Sequence, residues 1–253
     1  MPFTFAHPIY AFPLKYMSPK YYSLTGLVLG SMAPDFEYFY HLEPYQSIGH
    51  SIWGLFLQGI PISVLLAFIF HYIVKESLAL HLPSLFNLNQ RAFHILGQWK
   101  LNSFNAWIVF LSSVIVGFMS HVTIDAFTHT GGFFVVRYSL FREVMMFNLP
   151  IYKMLQYGLS LIGLFSILGV IIYYLYRSNP SAKGMPIITR KRKLLFWIYI
   201  ITISFVITSA KLIVTDSSNT IGILVVAPIS GLCLGLILSS LLLRKAGFAK
   251  GEG

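Results

Sequence analysis

An all-α bundle of membrane-spanning helices is what this sequence predicts, and three observations predict it. The chain is 56% hydrophobic and only 10% charged, where ordinary soluble domains carry about a quarter charged residues. Its mean hydropathy is +0.72. Its apolar residues gather into five long runs, Ser51–Val74, Phe104–Thr128, Met154–Tyr176, Leu194–Val214 and Ile221–Leu243, and a spanning helix needs about 20 such residues. This excludes a soluble two-domain enzyme. The 253 residues read as a single membrane-embedded domain.

Taken in order, residues 1–20 hold four prolines and cannot form one uninterrupted helix. Nor do Met1 to Tyr10 carry the basic leader and apolar core of a cleavable signal peptide. Ser18-Pro19 predicts an N-cap and first helical position for the run Tyr21–Ala33. At 1.5 Å per residue that run reaches about 20 Å, short of a hydrocarbon core of about 30 Å. It is therefore expected as a half-span, or as a helix buried against the others. The five full spans follow, and the last two contribute helices within 194–243.

The formal net charge of +10 does not call for nucleic acid. The positive charges sit in loops between apolar runs, where topology and anionic lipid account for them. Arg177, Lys183 and Arg190 to Lys193 crowd one loop, while Arg244, Lys245 and Lys250 follow the last span. Both regions, the C-terminus included, are expected in the cytoplasm. Counting back, Lys75–Asn102 lies inside, while Asp35–His50 and His129–Pro150 lie outside. Arg137 and Arg142 run mildly against this rule. The single cysteine, Cys233, lies within an apolar run, so neither a disulfide framework nor a thiolate metal motif is predicted.

The chemistry gathers at the end of the second long run, Ser120-His121-Val122-Thr123-Ile124-Asp125-Ala126-Phe127-Thr128-His129. Residues four apart share a helix face, so His121, Asp125 and His129 form one stripe. Ionisable groups in an apolar helix are costly and mark function by default. The topology puts Asp35, His50, His121, Asp125 and His129 at the same outer face. His7 joins them if Tyr21–Ala33 does not cross.

Imidazole and carboxylate without thiolate suit zinc, with manganese or iron as alternatives. His41, His71, His81 and His94 stand apart from the series. A lone histidine is more often a satisfied polar or interfacial group than a ligand. The structural alternative for His121 and Asp125 is a hydrogen bond between packed helices.

The opening MPFTFAHP, the segment Gly30-Ser31-Met32-Ala33-Pro34-Asp35-Phe36-Glu37-Tyr38, His50-Ser51, His121-x3-Asp125-x2-Thr128-His129 and Tyr152-x3-Gln156-Tyr157-Gly158-x-Ser160 together resemble an uncharacterised bacterial multi-pass membrane family. That family is similar to the LexA-regulated, membrane-bound metal-dependent hydrolases. A more distant resemblance is to the zinc-dependent phospholipase C and P1 nuclease group, helical hydrolases of phosphodiesters.

The second resemblance implies that Asp35, His50, His121 and Asp125 hold one metal. Asp125 would bridge toward a second that His7 helps to bind, and His129 would begin a third site. The group's terminal His-x3-Glu is missing, because no histidine follows His129. Glu143 is the acidic residue left to substitute. One or two zinc ions are therefore expected rather than three.

The expected function is hydrolysis of a lipid or lipid-linked phosphoester at the outer face of the bacterial inner membrane. Asp35 and Asp125 are the carboxylates available as ligand or base. Arg137 and Arg142 could meet an anionic head group, or simply be solvated. Gln156 and Ser160 could line the same cavity, or hydrogen-bond between helices. Membrane lipid is the expected partner, and no oligomeric state follows from the sequence. Two other readings remain open: a non-catalytic metal-binding or transport protein, and a ceramidase-like amide hydrolase. No inverted repeat favours transport.

Overall fold

A computed structural model describes residues 4–244. Lys245 and Lys250, used in the topology argument, lie outside the described residues, as does Met1. Helices dominate the described chain, with one two-stranded hairpin. They are α1 (Pro8–Met17), α2 (Leu24–Met32), α3 (Phe36–His41), α4 (Ile52–His81), α5 (Leu88–His94), α6 (Phe104–Thr128), α7 (Phe133–Arg137), α8 (Ile151–Arg177), α9 (Arg190–Val214) and α10 (Thr220–Arg244). Among the described residues, five stretches are long and apolar enough to cross a membrane: α4, α6 with α7, α8, α9 and α10. The all-α, five-span expectation holds, and the chain is a membrane protein.

Two compact units divide the chain. The first comprises residues up to Phe36, Ser47–Ala67 and Lys100–Ile171. It is built on the crossing of α2 and α6, where glycines replace side chains. A Cβ at Gly26 would lie 2.6 Å from the Phe110 carbonyl oxygen, and one at Gly117 would lie 2.5 Å from that of Leu27. Gly26-x3-Gly30 on α2 is thus a small-x3-small seam of the kind that lets membrane helices approach backbone to backbone. Ser23 caps α2 by accepting a hydrogen bond from Gly26 N–H, while its own N–H donates to Ser113 Oγ on α6 at 2.8 Å.

The run Tyr21–Ala33 is accordingly a short helix buried against a full span. Its start differs from expectation. Ser18 closes α1 and Ser23 is the cap. Lys15 explains the offset: its ammonium donates to the carbonyls of Pro19 and Tyr22, at 2.7 and 2.8 Å, and holds that stretch as a turn.

The second unit comprises Glu37–Gln46, Phe68–Trp99 and the chain from Ile172 on. Here α9 and α10 pack closely. Gly231 faces the Ser204 backbone, and Ser204 Oγ donates to the Pro228 carbonyl at 2.8 Å. Phe196, Ile200, Ile223 and Ala227 on these helices are buried.

Helix α4 runs past the expected Val74 as far as His81, through π-helical turns at Leu55–Gly59 and Phe70–Val74. His81 therefore sits in a helix end rather than a loop. Its ring stacks on Phe196 at 4.3 Å, and its carbonyl accepts from Trp197 Nε1. His71 stacks on Trp99 at 4.3 Å. Both rings pack against aromatic side chains, apart from the histidine–aspartate series.

Candidate metal centre

Helix α6 carries the core of the site. One helical turn separates His121 from Asp125, and their Nε2 and Oδ2 atoms lie 3.1 Å apart. His129 is the C-cap of α6, with extended backbone angles and its N–H donated to the Asp125 carbonyl. That cap turns its ring back, bringing Nδ1 to 3.3 Å from Asp125 Oδ1. The two oxygens of Asp125 therefore face different partners. Oδ2 faces His121 and, at 3.1 Å, His50 Nε2, whereas Oδ1 faces His129 and, at 3.7 Å, His7 Nε2.

The glycine-lined crossing delivers the rest. It sets the last turn of α2 beside His121, whose Nδ1 donates to the Ser31 carbonyl at 2.6 Å. A ring whose Nδ1–H is engaged this way presents the Nε2 lone pair, as metal-binding histidines commonly do. The chain then passes through a 3-10 turn, Ala33–Asp35, that buries the Asp35 carboxylate. Thr4 Oγ1 donates to Asp35 Oδ2 at 2.5 Å. This leaves Oδ1 facing His50 and His121 at 3.7 and 3.8 Å.

His50 immediately precedes Ser51, the N-cap of α4, whose hydroxyl accepts from Gly54 N–H at 3.0 Å. His7 caps α1 from the other side. Its ring stacks on His121 at 3.7 Å and 14°. Tyr10 Oη donates to the Leu159 carbonyl at 2.6 Å, and Gly163 leaves room for Ala6, so α8 holds the His7 turn in place.

Three observations test whether these residues suit a metal. First, the Nε2 atoms of His50 and His121 each lie between two carboxylate oxygens, Asp125 Oδ2 and Asp35 Oδ1. The separations above run from 3.1 to 3.8 Å. Zinc bonds of about 2.0–2.1 Å in a tetrahedron require ligand atoms about 3.3 Å apart.

Second, among the described residues the ion pairs of Asp35 and Asp125 are all with histidine, so no lysine or arginine balances them. Third, buried polar atoms lack hydrogen-bond partners among the described residues: both ring nitrogens of His7, Nδ1 of His50 and Oδ1 of Asp125. Leaving such groups unpaired costs about 1–3 kcal/mol each, and a cation would satisfy several at once. The buried groups His7, His121 and Asp125, and Asp35, His50 and His121, could hold a metal ion.

Burial, and after it the neighbouring His121 ring, push the His7 imidazole down to about 2, which keeps it neutral and able to ligate. Burial lifts the Asp35 carboxyl above its usual range, against the opposing pull of His121, the Thr4 hydrogen bond and His50. The cluster has one accessible edge. The His50 and His129 side chains are 19% and 31% exposed, while those of His7 and His121 are fully buried.

All six of His7, Asp35, His50, His121, Asp125 and His129 come together. Glu143 does not join them: it is exposed beyond a 3-10 turn, Ser139–Arg142. Arg137 and Arg142 are exposed as well. Gln156 is buried on α8 and accepts from Lys153 Nζ at 3.0 Å, and Ser160 Oγ donates to the Gln156 carbonyl within the same helix. The His41 ring lies 4.0 Å from that of Tyr45, tilted by 36°, and His94 ends α5.

Sequence reasoning missed Thr4 and Ser31, which orient Asp35 and His121. Neither has a spacing that signals its role. The glycine seam did carry a readable pattern, Gly26-x3-Gly30.

No curated protein and no solved structure matches the chain. Residues 1–241 match a family described as a domain of unknown function, DUF4184. That match covers both compact units and every residue of the cluster, and the chain belongs to the DUF4184 family.

Proposed function

We propose that this is a membrane-embedded, metal-dependent hydrolase acting on a lipid or lipid-linked phosphoester at the outer face of the bacterial inner membrane. One observation carries the reading: two carboxylates and four imidazoles converge in an apolar bundle, with Asp125 divided between two sets of histidines. Asp35, His50, His121 and Asp125 Oδ2 would hold one ion. Asp125 Oδ1, with His7 and His129, would hold a second. The absence of thiolate favours zinc. Such an ion lowers the pKa of a water toward about 7 and stabilises charge on a phosphoryl oxygen.

The protein's own groups divide the remaining work. Ser31 fixes the His121 tautomer, and Thr4 fixes which Asp35 oxygen faces the site. His50 and His129 form the edge that solvent and substrate would reach. Arg137 and Arg142 lie exposed in the segment after His129, where a guanidinium can pair with an anionic head group. The outer-face assignment rests on the basic loop from Arg177 to Lys193. The resemblance to LexA-regulated membrane hydrolases, and to the phospholipase C and P1 nuclease ligand order, supports the same reaction class.

The test is turnover. Purified protein carrying stoichiometric zinc should release the head group from phospholipid or polyprenyl-phosphoester vesicles, and Asp125→Asn should remove that activity. Stoichiometric metal with no hydrolysis product, together with ion accumulation inside sealed vesicles, would replace this reading with transport.

A further inference from the structure

The segment after His129 has two sides. Its inner side is fixed to α6: Phe134 stacks on Phe127 at 3.9 Å and 10°, Phe141 lies 5.9 Å from the same ring, and Val135 is fully buried. Its outer side is apolar and open. Phe133, Val136, Leu140, Met145 and Phe147 are all more than half exposed, and Phe147 reaches 85%. A rigid backing with an uncovered apolar face marks an interaction surface rather than a loop with stray hydrophobics.

The hairpin tip says the same. Strands Val144–Met146 and Leu149–Pro150 pair antiparallel around Phe147-Asn148, with Met146 opposite Leu149. Both turn residues have positive φ, 53° and 56°. Water-exposed turns of this kind favour Asn-Gly. A bulky side chain at positive φ is sterically disfavoured, yet a phenylalanine stands at this tip, 85% exposed.

From this geometry we infer that residues 133–147 form an interfacial platform, seated in the boundary between head groups and acyl chains of the bilayer that the spans cross. Continuity selects this occupant. The segment lies between the end of α6 at Thr128 and the start of α8 at Ile151, two successive helices long enough to span, so its two ends lie at one membrane surface. Arg137, Arg142 and Tyr138 accompany the apolar residues, the mixture that settles at an anionic interface. The platform starts four residues after His129, and it would hold the lipid surface beside the accessible edge of the cluster. The inference does not depend on hydrolysis.

The experiment uses the full chain with Cys233→Ser and Phe147→Cys, labelled with NBD and reconstituted in vesicles of phosphatidylcholine and phosphatidylglycerol. Its unfolding midpoint and zinc content should match the unlabelled protein, which separates this test from that of the metal site. Lipids with a shallow nitroxide should quench the label, as expected for a group seated at the head-group boundary, while aqueous iodide should leave it bright. Quenching by iodide and not by nitroxide would overturn the platform. So would protection from both quenchers, or a blue shift that follows protein density in the vesicle, which would assign the face to another protein or a second copy.

Discussion

His121 and Asp125 meet across one turn of α6, Nε2 to Oδ2 at 3.1 Å, while the same imidazole spends its other nitrogen on the Ser31 carbonyl at 2.6 Å. With Nδ1 occupied, His121 has one lone pair to give, and that lone pair sits among two carboxylates and the His50 ring. His121→Ala and Asp125→Ala should therefore each abolish bound metal, measured by elemental analysis of purified protein. Chelation should lower the unfolding midpoint of the wild type and leave both variants unmoved. An ion present at 1,000 times its Kd stabilises the fold by about 4 kcal/mol. Metal retained in the double variant would overturn the assignment.

A substitution at Thr4 tests the orientation of Asp35 while leaving every proposed ligand in place. Its hydroxyl holds Oδ2 and thereby aims Oδ1 at His50 and His121. Thr4→Val keeps the shape and removes the donor. It should weaken metal binding about 10- to 100-fold, the usual effect of losing a group that orients a ligand. Thr4→Ser should restore affinity. Equal affinities for all three, by competition with a fluorescent zinc chelator, would show that Asp35 is held by packing alone.

How much of this was legible in the sequence follows from what each feature depends on. The five spans follow from run length, and the His121–Asp125 stripe from helical spacing, so both were readable. The meeting of His7, Asp35 and His50 with that stripe depends on tertiary packing. The charge pattern put Asp35 and His50 on the expected side of the stripe, and His7 only if Tyr21–Ala33 does not cross. Two local errors came from competing side-chain contacts. Lys15 caps the carbonyls after Ser18 and delays the start of α2 to Ser23. The π-helical turns and the Phe196 stack carry α4 on to His81. The roles of Thr4 and Ser31 left no sequence signal, because a lone hydroxyl or a backbone carbonyl has no spacing to read.

The α2–α6 crossing should tolerate no added atom. A Cβ at Gly30 would press on the Val114 carbonyl oxygen and lie 2.7 Å from its Cα, both rigid backbone. Gly30→Ala should destabilise the first unit by about 2 kcal/mol or more, as overpacking does, and should lose metal with it. Gly158, on α8, faces nothing within 4 Å. Gly158→Ala should stay within about 1 kcal/mol of wild type, on the stabilising side. Unfolding by SDS in mixed micelles, followed by circular dichroism, separates the two. Equal stability of the pair would mean that α2 and α6 do not touch.

His7 sets a pH dependence for the metal-free protein. Its folded pKa, about 2, lies below the ordinary value of 6.5. In the window between them the unfolded ring takes a proton that the folded ring refuses. The unfolded state thus binds more protons, and stability must fall as pH falls from about 6.5 downward, with a limit of about 1.4 kcal/mol per pH unit for one proton. His7→Asn removes that titration. In the presence of chelator the variant should show a shallower loss of stability near about pH 5.5, below the ordinary histidine value and above that of His7 in the fold. An identical slope for wild type and variant would mean that the His7 ring accepts its proton in the folded state.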